Sequence, residues 1–362
     1  MAHQQAPLRQ KILTDADTGA DDALSILLAC AHGDVLAIGC TDGNVPSAVA
    51  TDNTLRLLEA AGYTGVRVAQ GLTWPDSEGR HWGRAFDDAF PEVPTQIAAL
   101  PAPSPEVLVD AALQQPPESV TLVCTGPLEN IGAALAHAEG MGQLQPFVRS
   151  VRRVVIMGGL CNPGSYNGQL PHNAEFNIRA CVEGSRAVWS APWPETVEFY
   201  LVPIDPIARS PLSHQDAEKV KALATAGSRR AQAAWAVLDL HVRSDECQAV
   251  QGGFEIYDAF AMALALDPAA IGAKLVPAMV TLHHTGQTVA TALASDDDDA
   301  GIGGTDDRTV AEATCKSYTP AEFVPVAPAP AVDAASWAVA RKMTILEDIN
   351  MAAFTDMFLA AL

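Results

Sequence analysis

The chain is predicted to fold as one large α/β domain, with a mostly parallel central sheet flanked by helices. Three observations predict it. Short β-prone apolar runs alternate with helical runs along much of the chain, the order that builds βαβ units and parallel sheets. The 362 residues are 49% hydrophobic and 18% charged, enough apolar material for a large core. Prolines are scattered through the loops, and no Gly/Ser linker divides two regimes of composition. Residues 1–10 are read as a polar, flexible N-terminal tail and residues 11–362 as the single domain.

The elements follow in order. Residues 11–14 form a short strand before an acidic loop, 23–31 (ALSILLACA) a buried helix, and 35–40 (VLAIGC) the next strand. Residues 48–61 are helical and 66–69 a strand; 107–113 are helical and 120–124 (VTLVC) a strand. A helix over 131–138 precedes strand 154–157 (VVIM), and 196–202 is a further strand. Helices are expected over 213–226, 231–242 and 259–265, and two more over 335–342 and 348–359. Residues 284–320 read as the least structured stretch. The acidic run Asp296, Asp297, Asp298 and Asp299 within it reads as a solvated loop, because the glycine and ligand spacing of an EF-hand are missing.

Charge narrows the partners. The 43 acidic residues against 22 Lys plus Arg leave a net charge of −21. Binding to nucleic acid needs clustered basic residues, so that class is excluded as an expectation. No apolar run approaches the ~20 residues of a membrane helix, and the polar start lacks the apolar centre of a secretory signal. Seven cysteines, at 30, 40, 124, 161, 181, 247 and 315, include no CxxC pair. Reduced thiols in a cytoplasm are the expectation.

The informative segment is Asp15-Ala16-Asp17-Thr18-Gly19-Ala20-Asp21-Asp22, four carboxylates within eight residues after the first strand. Loops at the carboxyl ends of parallel strands are where such sheets bind ligands. Asp21 and Asp22 suit the N-terminus of the following helix. Helix capping explains one or two acids; four crowded carboxylates repel one another unless a cation is present. No His or Cys lies beside them, so a hard cation such as Ca²⁺ or Mg²⁺ fits better than zinc.

The segment DADTGADDA resembles the DxDxGxDDA signature that opens the calcium-dependent nucleoside hydrolases. Further segments fall in the family's order: Thr41-Asp42-Gly43-Asn44, then Thr125-Gly126-Pro127-Leu128-Glu129-Asn130, then Ile156-Met157-Gly158-Gly159, then Ala174-Glu175-Phe176-Asn177, and finally Tyr257-Asp258. The resemblance spans roughly residues 10–270 and implies the nucleoside hydrolase fold. It also implies hydrolysis of an N-ribosidic bond through an oxocarbenium-like ribose.

The resemblance implies a role for each matching residue. Asp17, Asp22, Asp258 and the Thr125 backbone carbonyl would bind Ca²⁺, with ribose hydroxyls and a water completing the shell. Asp17 would also be the general base. Asp21 would hydrogen-bond a ribose hydroxyl, and Asn44 would lie near the 2′-hydroxyl and the base. Glu175 and Asn177, flanking Phe176, would contact the 5′ and 3′ sides of ribose. Asn167 would join them, with Asn162 and Asn173 as alternatives in the same stretch. Trp82 and Tyr257 resemble the aromatic pair with which the purine-preferring branch sandwiches its base, stacking that is worth about 0.5–2 kcal/mol per ring. His81 is an alternative leaving-group acid, which would broaden specificity. The family also implies a homo-oligomer, dimer or tetramer. Two other readings stay open: an enzyme acting on another ribosyl compound, and a non-catalytic nucleoside-binding homologue. Loops 72–90 and 226–256 are candidates to cover a substrate.

Overall fold

The computed structural model describes residues 9–73, 85–161, 174–208, 210–242, 253–293 and 337–362. A nine-stranded sheet forms its centre, in the order β10-β9-β11-β6-β5-β4-β1-β2-β3. The sequence runs β1 (Lys11–Ala16), α1 (Ala20–His32), β2 (Asp34–Cys40), α2 (Ser47–Ala61), β3 (Val68–Gln70), α3 (Ser104–Leu113), β4 (Val120–Cys124), α4 (Glu129–Gly140), α5 (Leu144–Ser150) and β5 (Val151–Met157). It continues through α6 (Phe176–Ala180), α7 (Val182–Ser190), β6 (Glu198–Val202), α8 (Ile204–Ile207), β7 (Leu212–Ser213), α9 (His214–Thr225), α10 (Arg229–Val242) and β8 (Gly253–Phe254). The last elements are α11 (Tyr257–Leu266), β9 (Lys274–His283), β10 (Thr288–Ala292), β11 (Ala338–Asp348) and α12 (Met351–Ala361). β7 and β8 form a separate two-stranded ribbon.

Strand β1 pairs in parallel with both β2 and β4, so the winding direction reverses at its carboxyl end. Reversal leaves a crevice there, because the following crossovers depart to opposite faces of the sheet. Alternation along β1 supplies both faces. Ile12 and Ala16 join the core beneath α1, α2 and α11, whereas Leu13 joins the core beneath α3 and α4. Helix α11, YDAFAMALAL, is buried at all ten residues. An apolar surface all round is what a helix enclosed on every side requires. Phe260 meets Phe354 of α12 edge to face, with ring centroids 4.8 Å apart. This packing fixes the helix whose first turn carries Asp258.

Two expectations need correction. The stretch 335–342 was expected to be helical on its Ala, Arg and Lys content, yet residues 338–342 belong to β11, which pairs along its length with β9. Pairing overrides the weak helical preference of those residues. The stretch 284–320, read as the least structured, contains β10 near its start. The remainder of that stretch from residue 294, including Asp296 to Asp299, lies outside the described residues. Of the expected tail, residues 1–8 also lie outside them. Arg9 donates to the carbonyls of Cys30 and His32, and the Gln10 amide to that of Leu266. No helix among the described residues is long and apolar enough to cross a membrane. Cys30, Cys40, Cys124, Cys161 and Cys181 form no disulfide among the described residues.

Candidate active site

Four carboxylates converge where β1, β4 and α11 end or begin. Asp17 follows β1, Asp21 and Asp22 lie in the first turn of α1, and Asp258 lies in the first turn of α11. Asp17, Asp22 and Asp258 are almost fully buried, while Asp21 keeps part of its surface open. Oxygens of Asp21, Asp22 and Asp258 all lie within 4.8 Å of one another. Asp17 is in hydrogen-bond contact with Asp22 and within electrostatic reach of Asp258.

The donors around the cluster come from three segments. The Gly19 N–H donates to Asp22 Oδ2 at 2.8 Å, so Asp22 also caps its own helix. The Thr125 hydroxyl donates to Asp22 Oδ1 at 2.7 Å. The Asn44 backbone donates to Asp17 Oδ2 at 2.6 Å, and its side-chain amide to Asp17 Oδ1 at 3.2 Å. A Cβ on Gly43 would run into the Asp17 carboxylate, so only glycine lets the backbone come this close.

Burial and mutual charge push these acids upward. Asp17 is held well above the ordinary carboxylate range, first by burial and then by the Asp22 charge. Asp21 is pushed up to about 7, again by burial and then Asp22. Asp22 is raised by burial, against the bonds from Thr125 and Gly19. Asp258 is raised well above its usual range by burial and by Asp21, Asp22 and Asp17. Among the described residues none of the four forms an ion pair with Lys or Arg. Like charges gathered in a dry pocket with oxygen donors alone match the needs of a hard metal ion, and the cluster is able to hold one.

Asp15, the fourth acid of the sequence segment, is not part of this cluster. It lies within β1 on the side of α3 and α4, where Asn130 Nδ2 donates to its Oδ1 at 2.9 Å. Asn130 Oδ1 in turn accepts from the Leu72 N–H at 3.0 Å. Burial pushes Asp15 up to about 7, and the Asn130 bond works against that. Alternation gives Asp15 and Asp17 the same parity; what separates them is that β1 ends at Ala16, so Asp17 belongs to the loop that turns into the cluster.

Glu175 caps α6 and is buried. Its Oε1 accepts from the Asn177 N–H at 2.8 Å, and its Oε2 from the N–H groups of Gly159 at 2.9 Å and Ile178 at 3.2 Å. Asn177 Nδ2 donates to the Thr125 carbonyl at 2.9 Å. A carbonyl has two lone pairs, so one remains on Thr125. Tyr257, beside Asp258, is buried against the core, and Phe176 is half-buried. Trp82, His81, Asn167, Asn162 and Asn173 lie outside the described residues, as do parts of loops 72–90 and 226–256. Sequence reasoning missed Asn130 as the partner of Asp15, and Thr288, whose hydroxyl bonds Leu160 beside Gly159.

Comparison with known proteins identifies the family. The family model for inosine-uridine preferring nucleoside hydrolase matches residues 12–356. A curated inosine-uridine preferring nucleoside hydrolase of Leishmania major is 30% identical over 299 residues, covering 77% of this chain and 87% of that protein. A pyrimidine-specific ribonucleoside hydrolase RihA of Shewanella sp. (strain ANA-3) is 31% identical over 227 residues, covering 60% and 66%. Among solved structures, a purine-preferring ribonucleoside hydrolase from Gardnerella vaginalis superposes with a TM-score of 0.68 at 20% identity, covering 97% of this chain and 98% of that one. With the family matched nearly end to end and its acidic segments meeting in one crevice, the chain belongs to the inosine-uridine preferring nucleoside hydrolases and is an N-ribohydrolase, cleaving the N-glycosidic bond of ribonucleosides.

Proposed function

We propose that the enzyme is a calcium-dependent hydrolase that prefers purine ribonucleosides. The observation that carries the metal reading is the convergence of Asp17, Asp21, Asp22 and Asp258 with their raised affinities for protons. Asp17, Asp22, Asp258 and the free lone pair of the Thr125 carbonyl are the proposed ligands. Asp21, the only one of the four acids that keeps open surface, is left to meet a ribose hydroxyl. Bound calcium would supply the charge that orients and acidifies a water at this spot.

The chain's own groups do the rest. Asp17 takes the proton of the attacking water as general base, and the Asn44 grip holds the plane of its carboxylate while each oxygen keeps a further lone-pair site. Glu175 has both oxygens engaged by backbone N–H groups, yet Oε1 accepts only one of them. It therefore retains a place for the ribose 5′-hydroxyl, and Asn177 stands on the 3′ side. Oriented hydrogen bonds of this kind hold the sugar while charge develops on it.

The purine reading rests on the resemblance of Trp82 and Tyr257 to the family's aromatic pair: a base stacked on such rings would be favoured as it gains a proton, because their π-faces attract positive charge. A pyrimidine preference is the second reading. It rests on the name of the Shewanella relative as a pyrimidine-specific hydrolase. We further propose a cytoplasmic homo-oligomer, a dimer or tetramer, which light scattering of the purified protein would test.

A reducing-sugar assay across inosine, adenosine, guanosine, uridine and cytidine, with and without chelator, tests the whole reading. Inosine and guanosine are expected to be cleaved fastest, and all turnover should stop on exhaustive removal of calcium. Faster uridine cleavage overturns the purine preference. Turnover that survives chelation overturns the metal.

A further inference from the structure

The turn after β5 is built from Gly158 and Gly159, with φ of 148° and 82°. These are backbone conformations that a residue with a Cβ rarely adopts. The turn aims the Gly159 N–H at Glu175 Oε2. It has no helix or strand of its own to hold it, so its other backbone groups find partners around it. Gly158 N–H donates to the Val202 carbonyl at 3.0 Å, and the Gly159 carbonyl accepts from Ile204 N–H at 3.2 Å. The next residue, Leu160, is buried. Both its backbone groups go to one side chain: Thr288 Oγ1 accepts from the Leu160 N–H at 2.8 Å and donates to its carbonyl at 2.9 Å.

Thr288 is the first residue of β10, far along the sequence from the acidic motifs. It is 1% exposed. A Cβ placed on Gly159 would sit 2.9 Å from its hydroxyl, and one placed on Gly158 would sit 2.9 Å from Glu175 Oε2. The glycine turn is therefore packed between the Thr288 hydroxyl and the Glu175 carboxylate. The same hairpin reaches the other side of Glu175. At its tip, a Cβ on Gly286 would lie 2.7 Å from the Arg179 Cα, in the short helix that Glu175 caps. The hairpin is in turn fastened to α7, where the Trp189 indole donates to the Val280 carbonyl at 3.4 Å and the Arg341 guanidinium of β11 to the Trp189 carbonyl at 2.8 Å.

We propose that Thr288 is a positioning residue for substrate recognition: by holding both backbone groups of Leu160 it sets the Gly158-Gly159 turn, and through the Gly159 N–H it sets the Glu175 carboxylate that reads the ribose 5′-hydroxyl. This inference rests on the nucleoside reading above and extends it to a residue of the C-terminal hairpin. A threonine whose only task was to satisfy two buried backbone groups would affect every substrate alike. A positioning residue affects the substrate that has the hydroxyl to be read.

The test compares kcat/KM for inosine and 5′-deoxyinosine in the wild type, Thr288→Val and Thr288→Ser, with calcium present. The wild type is expected to favour inosine by about 100-fold or more, since a site built to bond a hydroxyl rejects the analogue lacking it. Thr288→Val keeps the shape and loses both bonds. It is expected to cut the inosine rate roughly ten-fold, leave the deoxy rate within about two-fold, and so shrink the ratio; a single lost hydrogen bond is of that size. Thr288→Ser keeps the hydroxyl and is expected to restore the ratio. If Thr288→Val does not fold, Thr288→Ala is read in the same ratio. An equal fall on both substrates, an unchanged ratio, or a wild type indifferent to the 5′-hydroxyl overturns the proposal. A wild type that cleaves none of the common nucleosides overturns the nucleoside reading instead.

Discussion

Asn44 grips Asp17 from two directions, its backbone N–H on Oδ2 at 2.6 Å and its side-chain amide on Oδ1 at 3.2 Å. The two bonds define the plane of the carboxylate and leave no freedom for it to rotate away from the cluster. A general base works only when its lone pair points along the path of the departing proton.

Asp17→Ala is therefore expected to reduce turnover to near background. Asn44→Ala is expected to keep the fold and lose about 10–100-fold in kcat/KM, the range for a hydrogen bond to a charged group. Steady-state assays of both variants check this. An Asn44→Ala enzyme with wild-type kcat/KM would show that the grip does not matter.

The raised acids predict an unusual pH response of the metal-free protein. Folded Asp21 titrates at about 7, and Asp17 and Asp258 are also raised, whereas unfolded aspartates titrate near ~3.9. Between those values the folded state binds more protons than the unfolded one. The cluster's contribution to stability is thus complete below ~4 and is lost as pH rises through about 7. Calcium reverses the trend, because it takes the place of the protons. The gain in Tm on adding calcium is expected to be larger at pH 8 than at pH 5.5, and ligand at 100 times its Kd adds about 2.7 kcal/mol. Calorimetry at both pH values, with and without calcium, reads it directly. An equal gain at both would contradict the sign.

Asp258 and Asp21 should separate. Asp258 is buried and faces three other acids, whereas Asp21 keeps open surface. Asp258→Asn is expected to weaken calcium binding by at least about ten-fold, since each removed charged ligand costs a hard-cation site heavily. Asp21→Asn is expected to spare calcium affinity and raise KM for nucleoside. Calcium titration by calorimetry alongside kinetics distinguishes them, and the opposite pattern would exchange their proposed roles.

The Asp15–Asn130 contact lies away from the cluster and should report on stability. Asn130→Ala strips a buried carboxyl of a donor and the Leu72 N–H of an acceptor, at an expected cost of about 1–3 kcal/mol. Asn130→Asp should be worse, because it sets a second carboxylate against Asp15. Denaturant unfolding at neutral pH checks the order. An Asn130→Asp protein more stable than Asn130→Ala would refute it.

Much of this architecture was legible in the chain. Strands β1, β2, β4, β5 and β6 were readable because each is a compact apolar run next to a helical one, and the acidic loop announced itself by crowding. The C-terminal third was less legible. Residues 338–342 are strand by virtue of their pairing with β9, not by composition. The alternation of buried Ala278, Val280 and Leu282 with their neighbours was a usable strand signal in β9 that sequence reading passed over. Asp15 counted among the crowded acids because spacing alone does not reveal that β1 stops at Ala16, which leaves Asp15 in the strand and Asp17 in the loop beyond it. Thr288 carried no signal, since a lone threonine gains meaning only from the turn it meets across the fold.

The placement of β11 bears on how the protein is made. It is contributed by residues 338–348, yet it lies between β6 and β9. As the chain leaves the ribosome, β6 presents a bare edge until those late residues emerge. The β9–β10 hairpin, already synthesised, lacks its sheet neighbour in the meantime. The nascent chain can thus assemble its acidic crevice before the strand that joins this hairpin to the sheet is in place. During that interval an unpaired, apolar edge is exposed to other chains, which makes the time between synthesis of β10 and of β11 the point at which this sheet is most open to aggregation.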